Sequence, residues 1–245
     1  MIALKAEGLG KSFTIAASGE RPTVLARCRR ALTGAEPTRE LWALRGIDFE
    51  LERGEALGVI GPNGAGKSTL LLLLAQILGP SEGGVFVRGK IDPLFQLGAG
   101  LRPRLSVLDN MRLCAALLGV PRRVFEKRLP EMIAFAGLEP YLHARYGELS
   151  AGYSIRLPFV VAAHADLDIV LLDEMLSVGD RVFQTKCAEV FARFKAERRT
   201  LVVVSHDLRL VEELCDKALY LDRGRQAYFG DVATAVSRYL ERAPA

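Results

Sequence analysis

The feature that most constrains this chain is a glycine-rich run that fits the pattern G-x-x-x-x-G-K-[ST] at every fixed position. Its members are Gly61, Pro62, Asn63, Gly64, Ala65, Gly66, Lys67, Ser68 and Thr69. Apolar residues at 56–60 and 70–78 flank the run, so the sequence predicts a buried strand, a tight loop and a helix in succession. The alternative, a glycine-rich turn with a chance lysine, does not account for this context.

In such a loop, glycines let consecutive backbone N–H groups point at one phosphate, and the following helix adds the positive end of its dipole. Lys67 brings a full positive charge to the terminal phosphates, and the Ser68 hydroxyl is suited to ligate Mg²⁺. The run therefore predicts a site for a nucleotide and its metal ion.

Length and hydropathy bound the architecture. A chain of 245 residues holds one large domain, or one domain with a small appendage, and its 50% hydrophobic content supports a substantial core. The longest apolar stretch, at 70–75, is far shorter than the roughly 20 residues that span a bilayer, and residues 1–11 lack an apolar signal core. We therefore expect a soluble, cytoplasmic protein.

Charge and cysteine usage narrow the chemistry. The net charge of +4 does not by itself indicate a nucleic-acid partner. The cysteines show neither paired nor metal-type spacing, so we expect reduced and mostly buried thiols. They are Cys28, Cys114, Cys187 and Cys215.

Strand-like and helix-like segments alternate along the chain, which predicts a mainly parallel sheet covered by helices on both faces. Residues 14–40 interrupt this order with a stretch rich in Ser, Gly, Pro, Thr and Arg, which we interpret as an insertion that is partly hairpin or helix. Apolar residues recur at helical spacing within 103–147, which indicates an inserted helical subdomain, and we place its bounds at 97–163. The nucleotide-binding core then comprises 1–95 and 165–245.

The second half of the chain supplies further elements of this core. Buried strands are predicted at 169–172, 200–204 and 218–221, and helices at 149–163, 208–216 and 232–241. Asp231 is suited to cap the last helix. Pro158 lies well inside the 149–163 helix, where a proline costs about 3 kcal/mol, so we expect a bend or a later helix start.

Polar residues follow two of these buried strands. Asp173, at the tip of the first, is suited to hold the Mg²⁺ shell, and Glu174, one residue further, is suited to polarise an attacking water. His206 follows the next strand and is a candidate sensor of the terminal phosphate. An acid pair or a lone histidine is a weak signal alone and is often structural, but their order after a phosphate loop favours catalytic roles.

The segment Leu149-Ser150-Ala151-Gly152-Tyr153 resembles the signature Leu-Ser-Gly-Gly-Gln of the nucleotide-binding subunits of ABC transporters. With the phosphate loop and the Asp-Glu pair, the resemblance covers nearly all of 1–245. It implies an α/β P-loop NTPase fold of ABC type, with a mainly parallel sheet core, an N-terminal antiparallel β subdomain and an inserted α-helical subdomain.

The resemblance also implies that Ser150, Ala151 and Gly152 contact ATP held by a second copy. A serine hydroxyl and free N–H groups at a helix start form an anion site, although the same residues would also serve as an ordinary Ser N-cap. Ala151 and Tyr153 depart from the family pattern, because Ala151 adds a methyl near the phosphate and Tyr153 removes an amide. Neither change removes Lys67, so hydrolysis is still expected.

Other positions match family contacts one by one. Gln96 stands where the family has the glutamine that contacts Mg²⁺ and water, and Asp180 ends a segment that resembles the loop crossing the dimer interface. Phe13 stands where the family stacks an aromatic ring on adenine, and Trp42 is a rival for that role.

A subgroup of the family is also indicated. Residues 97–101, 174–180 and 183–187, together with the insertion before Trp42, resemble the exporters of lipid-linked O-antigen, capsule or teichoic acid chains. Some of those proteins carry a C-terminal carbohydrate-binding domain, and we expect none here because the chain stops near Ala245.

The resemblance implies an ATPase with ATP and Mg²⁺ as cofactors, working as a homodimer of nucleotide-binding subunits. It implies a separate dimeric transmembrane permease, a lipid-linked glycan as the transported substrate, no nucleic acid, and a peripheral place on the cytoplasmic face of the inner membrane. Two alternatives remain open at this point. One is a soluble ABC-type ATPase acting on the ribosome or nucleic acid, and the other is a phosphate-loop kinase outside the ABC family.

Overall fold

The computed structural model describes residues 1–16, 38–93, 100–173 and 180–242. Its strands are β1 (Ile2–Ala16), β2 (Thr38–Glu52), β3 (Ala56–Ile60), β4 (Glu82–Val87), β5 (Ile91–Pro93), β6 (Ile169–Leu172), β7 (Thr200–Val204), β8 (Lys217–Asp222) and β9 (Arg225–Gly230). Its helices are α1 (Lys67–Leu74), α2 (Val107–Leu117), α3 (Arg122–Ala136), α4 (Ala151–Ala163), α5 (Arg181–Ala196), α6 (Leu208–Leu214) and α7 (Val232–Arg242). Within this described part of the chain, each helix is too short or too polar to cross a lipid bilayer.

The larger sheet has the strand order β5-β6-β7-β3-β8-β9 and is parallel except for the antiparallel pairing of β9 with β8. Strands β3, β6 and β7 are fully buried, as Val-, Ile- and Leu-rich runs are when both faces are covered. The predicted mainly parallel sheet is confirmed. Strand β9 is missing from the prediction because its half-buried residues lack a continuous apolar run.

Successive residues of the central strands point to two different cores. Val170 and Leu172 pack with residues of α4, α5, α6 and α7, whereas Ile169 and Leu171 pack with α1 and the smaller sheet. This alternation follows from the two-residue period of a strand. It fixes the register of β6, and therefore the position of the residue that follows its C-terminal end.

The smaller sheet is antiparallel, with the strand order β2-β1-β4, and confirms the expected antiparallel β subdomain. Ala16 pairs with Thr38, so both long strands run further than the sequence pattern suggests. The two ends of the predicted insertion at 14–40 thus pair as antiparallel strands, in agreement with a segment that is partly hairpin, because polar residues on exposed strand positions still pair through their backbones. Its remaining part, 17–37, lies outside the described residues.

Helices α2, α3 and α4 form the inserted helical subdomain, which has a hydrophobic core of its own containing Met111, Phe125, Met132 and Leu157. The expected helical subdomain is thus confirmed. Pro130 lies inside α3 and does not end the helix.

Helix α4 begins at Ala151, so the expectation of a later start caused by Pro158 is wrong. A proline cannot donate to the carbonyl four residues earlier, which here is that of Ser154. The Tyr146 hydroxyl donates to this carbonyl instead, at 3.1 Å. A side chain from the preceding turn thus satisfies the acceptor that the proline leaves open.

The predicted helix cap at Asp231 and the predicted burial of the cysteines can both be compared with the structure. Asp231 accepts a hydrogen bond from the backbone of Thr234 at 2.9 Å, which confirms the predicted cap of α7. Cys114, Cys187 and Cys215 are buried thiols. Burial raises the pKa of the Cys187 and Cys215 thiols to about 12, so both stay protonated at neutral pH. Cys28 lies outside the described residues.

Gly58 marks the place where α6 packs directly on β3. A Cβ atom here would collide with Cγ1 of Val211 and would lie 3.3 Å from the Cys215 sulfur. The strand that leads into the phosphate loop can therefore approach this helix only because the residue has no side chain.

We predict that Gly58→Ala lowers the free energy of unfolding by about 1–3 kcal/mol, because the added methyl overpacks the contact with Val211. Urea titration followed by circular dichroism measures this change. Gly79→Ala is the matched control, since a Cβ there meets nothing within 4 Å. Adding Val211→Ala to Gly58→Ala should recover part of the loss, and a Gly58→Ala protein as stable as the wild type would contradict the prediction.

Candidate phosphate-binding site

The glycine loop follows β3 and passes its neighbours at very short range. A Cβ at Gly61, whose φ is +151°, would collide with the backbone carbonyl of Leu221. At Gly66, where φ is +101°, it would lie 2.6 Å from Leu44 Cδ2. At Gly64 it would meet nothing within 4 Å, so this side of the loop is open. The loop is closely packed on one side and open on the other, which is the shape of a cradle for an anion.

Lys67 opens helix α1 and its side chain folds back over the loop. The ammonium donates hydrogen bonds to the carbonyls of Gly61 at 2.7 Å and Pro62 at 3.2 Å. It also lies 3.4 Å from Nε2 of His206. An ammonium group only donates, so this contact is a hydrogen bond only in the tautomer that leaves Nε2 without a proton. Lys67 itself is only 8% exposed, so water screens its positive charge little and the charge acts mainly toward the open side of the loop.

A cavity of about 680 Å³ opens over the cradle, a volume within the range of small-molecule sites. Its walls combine the glycine loop with polar and aromatic residues from four other parts of the chain. They are Leu41, Trp42, Ala43, Asn63, Gly64, Ala65, Gly66, Lys67, Ser68, Thr69, Asp173, His206, Arg223 and Gly224.

Sheet topology explains why three predicted residues meet in this cavity. Strand β7 pairs in parallel with both β3 and β6, so the carboxyl ends of these strands share one edge of the sheet. Lys67, Asp173 and His206 come from the segments that leave this edge. Ligands of open α/β sheets bind at the carboxyl ends of the strands, and this site agrees with that rule.

The residues present fit a nucleotide and its metal ion. The helix-initial N–H groups and the Lys67 ammonium face the cavity that also exposes the Ser68 hydroxyl and the Asp173 carboxylate. Oxygen donors of this kind are the ligands that Mg²⁺ prefers. Two residues assigned from the sequence, Gln96 and Glu174, lie outside the described residues.

Sequence reasoning missed one wall of the cavity, the turn between β8 and β9. Arg223 and Gly224 have φ values of +48° and +75°, as in the tight turns that favour glycine. The Gly224 N–H donates to the Ala65 carbonyl at 3.2 Å, and the Gly224 carbonyl accepts from the Arg45 N–H at 2.8 Å. The turn signal was visible in the sequence, but its contact with the glycine loop depends on the pairing of β8 with β3.

The aromatic wall of the cavity comes from β2. Trp42 lines the cavity, and the Arg45 guanidinium lies 4.4 Å from its ring centre. Phe13 lies on β1 opposite Leu41 and is 37% exposed, but it does not line this cavity. Of the two candidates for stacking on a base, Trp42 is therefore the one placed beside the phosphate loop.

The signature-like residues Ser150, Ala151 and Gly152 lie at the start of α4 and do not line the cavity of their own chain. Ser106 caps α2 by accepting from the backbone N–H of Asp109 at 3.0 Å. Ser150 holds the same position before α4, but among the described residues its side chain makes no capping hydrogen bond. The interpretation as an ordinary Ser N-cap is therefore not supported.

Asp180 lies at the N-terminus of α5, where one carboxylate oxygen accepts from the Phe183 N–H at 2.9 Å. The other oxygen accepts from the Arg156 guanidinium at 2.9 Å. The Phe183 N–H, and after it Arg156, lower the pKa of this carboxyl, so it is ionised at neutral pH. Asp180 does not line the cavity of its own chain either.

Comparison with known proteins gives relatives of one kind. The model of the ABC transporter family matches residues 44–177, which is more than half of the chain. The O-antigen export system ATP-binding protein RfbB of Myxococcus xanthus is 37% identical over 91% of this chain and 52% of its own length. The ABC transporter protein AbcA of Aeromonas salmonicida is 34% identical over 96% of this chain and 75% of its own length.

Teichoic acids export ATP-binding protein TagH of Levilactobacillus brevis is 38% identical over 82% of this chain and 55% of its own length. The chain thus spans about half the length of two of these three curated relatives. The names of these relatives confirm the resemblance to the polysaccharide-export subgroup.

Solved structures share the fold. The structure of an ATP-binding subunit of an ABC transporter has a TM-score of 0.76 at 21% identity, covering 99% of this chain and 95% of that one. The dimeric structure of MJ0796, a bacterial ABC transporter cassette, has a TM-score of 0.72 at 24% identity, covering 94% and 98%. With the family match and the curated relatives, these findings show that the chain belongs to the ABC transporter family.

Proposed function

We propose that this protein is an ATPase that hydrolyses ATP with Mg²⁺ in the cavity above the glycine loop. The observation that carries the proposal is the convergence of Lys67, Asp173 and His206 on one cavity. Each of these residue types has a separate task in phosphoryl transfer, and a structural ion-pair network would not require the open cradle beside them.

In this proposal the chain supplies position and charge, because phosphoryl transfer needs little covalent help from a protein. Lys67 exchanges its hydrogen bonds to the loop carbonyls for the terminal phosphates, and His206, 3.4 Å away, donates to the same group. Ser68, Asp173 and Gln96 would hold Mg²⁺, which would supply charge neutralisation when bound. Glu174 would orient the attacking water.

The proposed active form is a homodimer. The start of α4 has an exposed serine and the N–H groups of a helix start. These residues do not line the cavity of their own chain. A related cassette, MJ0796, has a dimeric structure in a post-hydrolysis state bound to ADP and Pi. We infer that Ser150, Ala151 and Gly152 of each copy cover the ATP in the other, with Asp180 at the same interface.

The proposed role is export of a lipid-linked polysaccharide. This proposal is supported by the names of the curated relatives, two of which are for O-antigen and teichoic acids export ATP-binding proteins. A separate transmembrane permease dimer would convert closure of the ATPase dimer into substrate movement. The protein would then lie at the cytoplasmic face of the cell membrane, without a nucleic-acid partner.

The two alternatives fare differently. The kinase alternative is wrong, because it required the signature-like segment to be accidental and the chain belongs to the ABC transporter family. The ribosome or nucleic-acid alternative gains no support from the relatives, which are named as export or transporter proteins.

Replacing the proposed water-orienting residue tests the chemistry. Glu174→Gln keeps the shape of the side chain but removes its negative charge, so we expect ATP binding to persist while phosphate release slows at least about a hundredfold. Phosphate release and gel filtration with ATP measure the two effects. Glu189→Gln, an exposed glutamate on α5, is the control. Wild-type turnover in Glu174→Gln would show that another residue orients the water.

Mixing two inactive variants tests the shared site. Lys67→Met disables the loop, and Ser150→Asp brings a carboxylate against the phosphate, so each homodimer should be inactive. A mixed dimer would contain one site with neither defect. Equal mixing should therefore restore about a quarter of the wild-type rate, if the two-fold related sites act independently. No recovery, with mixed dimers shown to form, would contradict sites built from two chains.

The single tryptophan provides a direct probe of the base-binding wall. We propose that Trp42 stacks on the adenine, so ATP should change its fluorescence. Trp42→Ala should weaken ATP binding by about tenfold, since a base–aromatic stack is worth about 1–3 kcal/mol. Phe13→Ala should change the affinity less than twofold, within about 0.4 kcal/mol. The reverse ranking, measured by calorimetry, would assign the base contact to Phe13.

A further inference from the structure

Arg156 is a charged residue at an unusual place. It lies on α4, two turns after Ser150, and its side chain is only 11% exposed. One guanidinium nitrogen donates to the Ala136 carbonyl at 3.2 Å, at the end of α3, and another to Asp180 at 2.9 Å. Three elements thus meet at one side chain: the end of α3, the first half of α4 and the start of α5.

Two aromatic rings contact the guanidinium. Its central carbon lies 4.3 Å from the Tyr153 ring centre and 5.0 Å from that of Phe183. The Tyr153 ring also lies 4.9 Å from the ring of Tyr141. Aromatic rings attract a guanidinium, so both contacts help to hold the Arg156 side chain in place.

The ion pair joins two parts that the proposed function gives to the same interface. Tyr153 is in the first turn of α4, three residues after Ser150, whereas Asp180 is the capping residue of α5. One carboxylate oxygen of Asp180 caps α5 and the other accepts from Arg156. Any movement of α4 relative to α5 must therefore either break the ion pair or carry Asp180 along.

Stability alone gives a weak reason for such a contact. Burial of the Arg156 side chain costs part of the hydration of its charge, whereas Asp180 is 60% exposed, and an ion pair with one exposed partner contributes little to stability. The Nε atom of Arg156 is buried and has no hydrogen-bond partner among the described residues, which adds to that cost. The arrangement is better explained by the fixed geometry that it imposes.

We propose that Tyr153, Arg156 and Phe183 form a clamp that holds the serine-headed start of α4 to Asp180, so that both parts meet the second copy as one rigid surface. Arg156 and Tyr153 are then positioning residues of the ATPase. The proposal rests on the proposed dimeric function. It also gives a role to Tyr153, whose ring replaces the family's glutamine and supplies the stacking surface.

Hydrogen exchange in the isolated, nucleotide-free protein tests the clamp without using its activity. Arg156→Met keeps the apolar stem, and the lost partner, Asp180, is 60% exposed and stays solvated, so the variant should fold. We expect faster amide exchange at both 151–156 and 181–187. Arg128→Met is the matched control, since Arg128 also donates to a carbonyl after α4, that of His164, but lies outside the clamp. Unchanged exchange in Arg156→Met, or equal effects of Arg128→Met, would overturn the clamp.

Steady-state kinetics then test the positioning role. Arg156→Met should lower kcat by about ten- to a hundredfold, because displaced groups lose catalytic geometry. The affinity for ATP, followed by the fluorescence of Trp42, should change less than about twofold. Tyr153→Phe keeps the ring and should retain the wild-type kcat, whereas Tyr153→Leu should resemble Arg156→Met. A loss of kcat that follows the fall in melting temperature across Arg156→Met, Tyr153→Phe, Tyr153→Leu and Arg128→Met would overturn the positioning role.

The outcomes separate this proposal from the proposed function. A wild-type protein without ATPase activity would refute the proposed function, and coupled exchange at the two segments would still support the clamp as a mechanical link. An active wild-type protein whose Arg156→Met variant keeps its exchange pattern and kcat would refute the clamp alone.

Discussion

The site depends on how closely the glycine loop passes its neighbours. A side chain at Gly61 would collide with the Leu221 carbonyl of β8, and one at Gly66 would lie 2.7 Å from the Ala43 carbonyl of β2. These contacts join the loop to both sheets, so the cavity over the loop is built where the sheets meet. The same closeness orders the Lys67 side chain over the loop carbonyls and beside His206. The phosphate site is therefore rigid because backbone, and not flexible side chain, forms most of it.

Local pattern predicts the parts of this site that are local in the chain. Asp173 and His206 could be assigned because each directly follows a buried strand, and parallel strands bring such residues to one edge. The wall formed by Arg223 and Gly224 could not, since it depends on which strand lies beside β3. The continuity of α4 through Pro158 could not be predicted from local pattern either, because the compensating Tyr146 hydroxyl comes from outside the helix.

The arginines of this chain show why an excess of basic residues is a weak guide to an anionic binding partner. Three arginines from different segments, Arg128, Arg193 and Arg199, donate to carbonyls at or just after the end of α4, each at 2.9–3.0 Å. Their charges complement the negative end of the helix dipole. Part of the excess of basic over acidic residues thus serves the inside of the fold, and does not require an anionic partner.

The same contacts make the two ends of α4 unlike each other. Its carboxyl end is held by guanidinium groups, so its partial negative charge is balanced within the chain. Its amino end begins at Ser150, whose hydroxyl does not cap the helix among the described residues, and no acidic residue lies in its first turn. Within the described part of the chain, the first turn of α4 thus brings no carboxylate to the positive end of the dipole, about half a charge. In the proposed dimer, the triphosphate held by the second copy would supply the negative charge at this end.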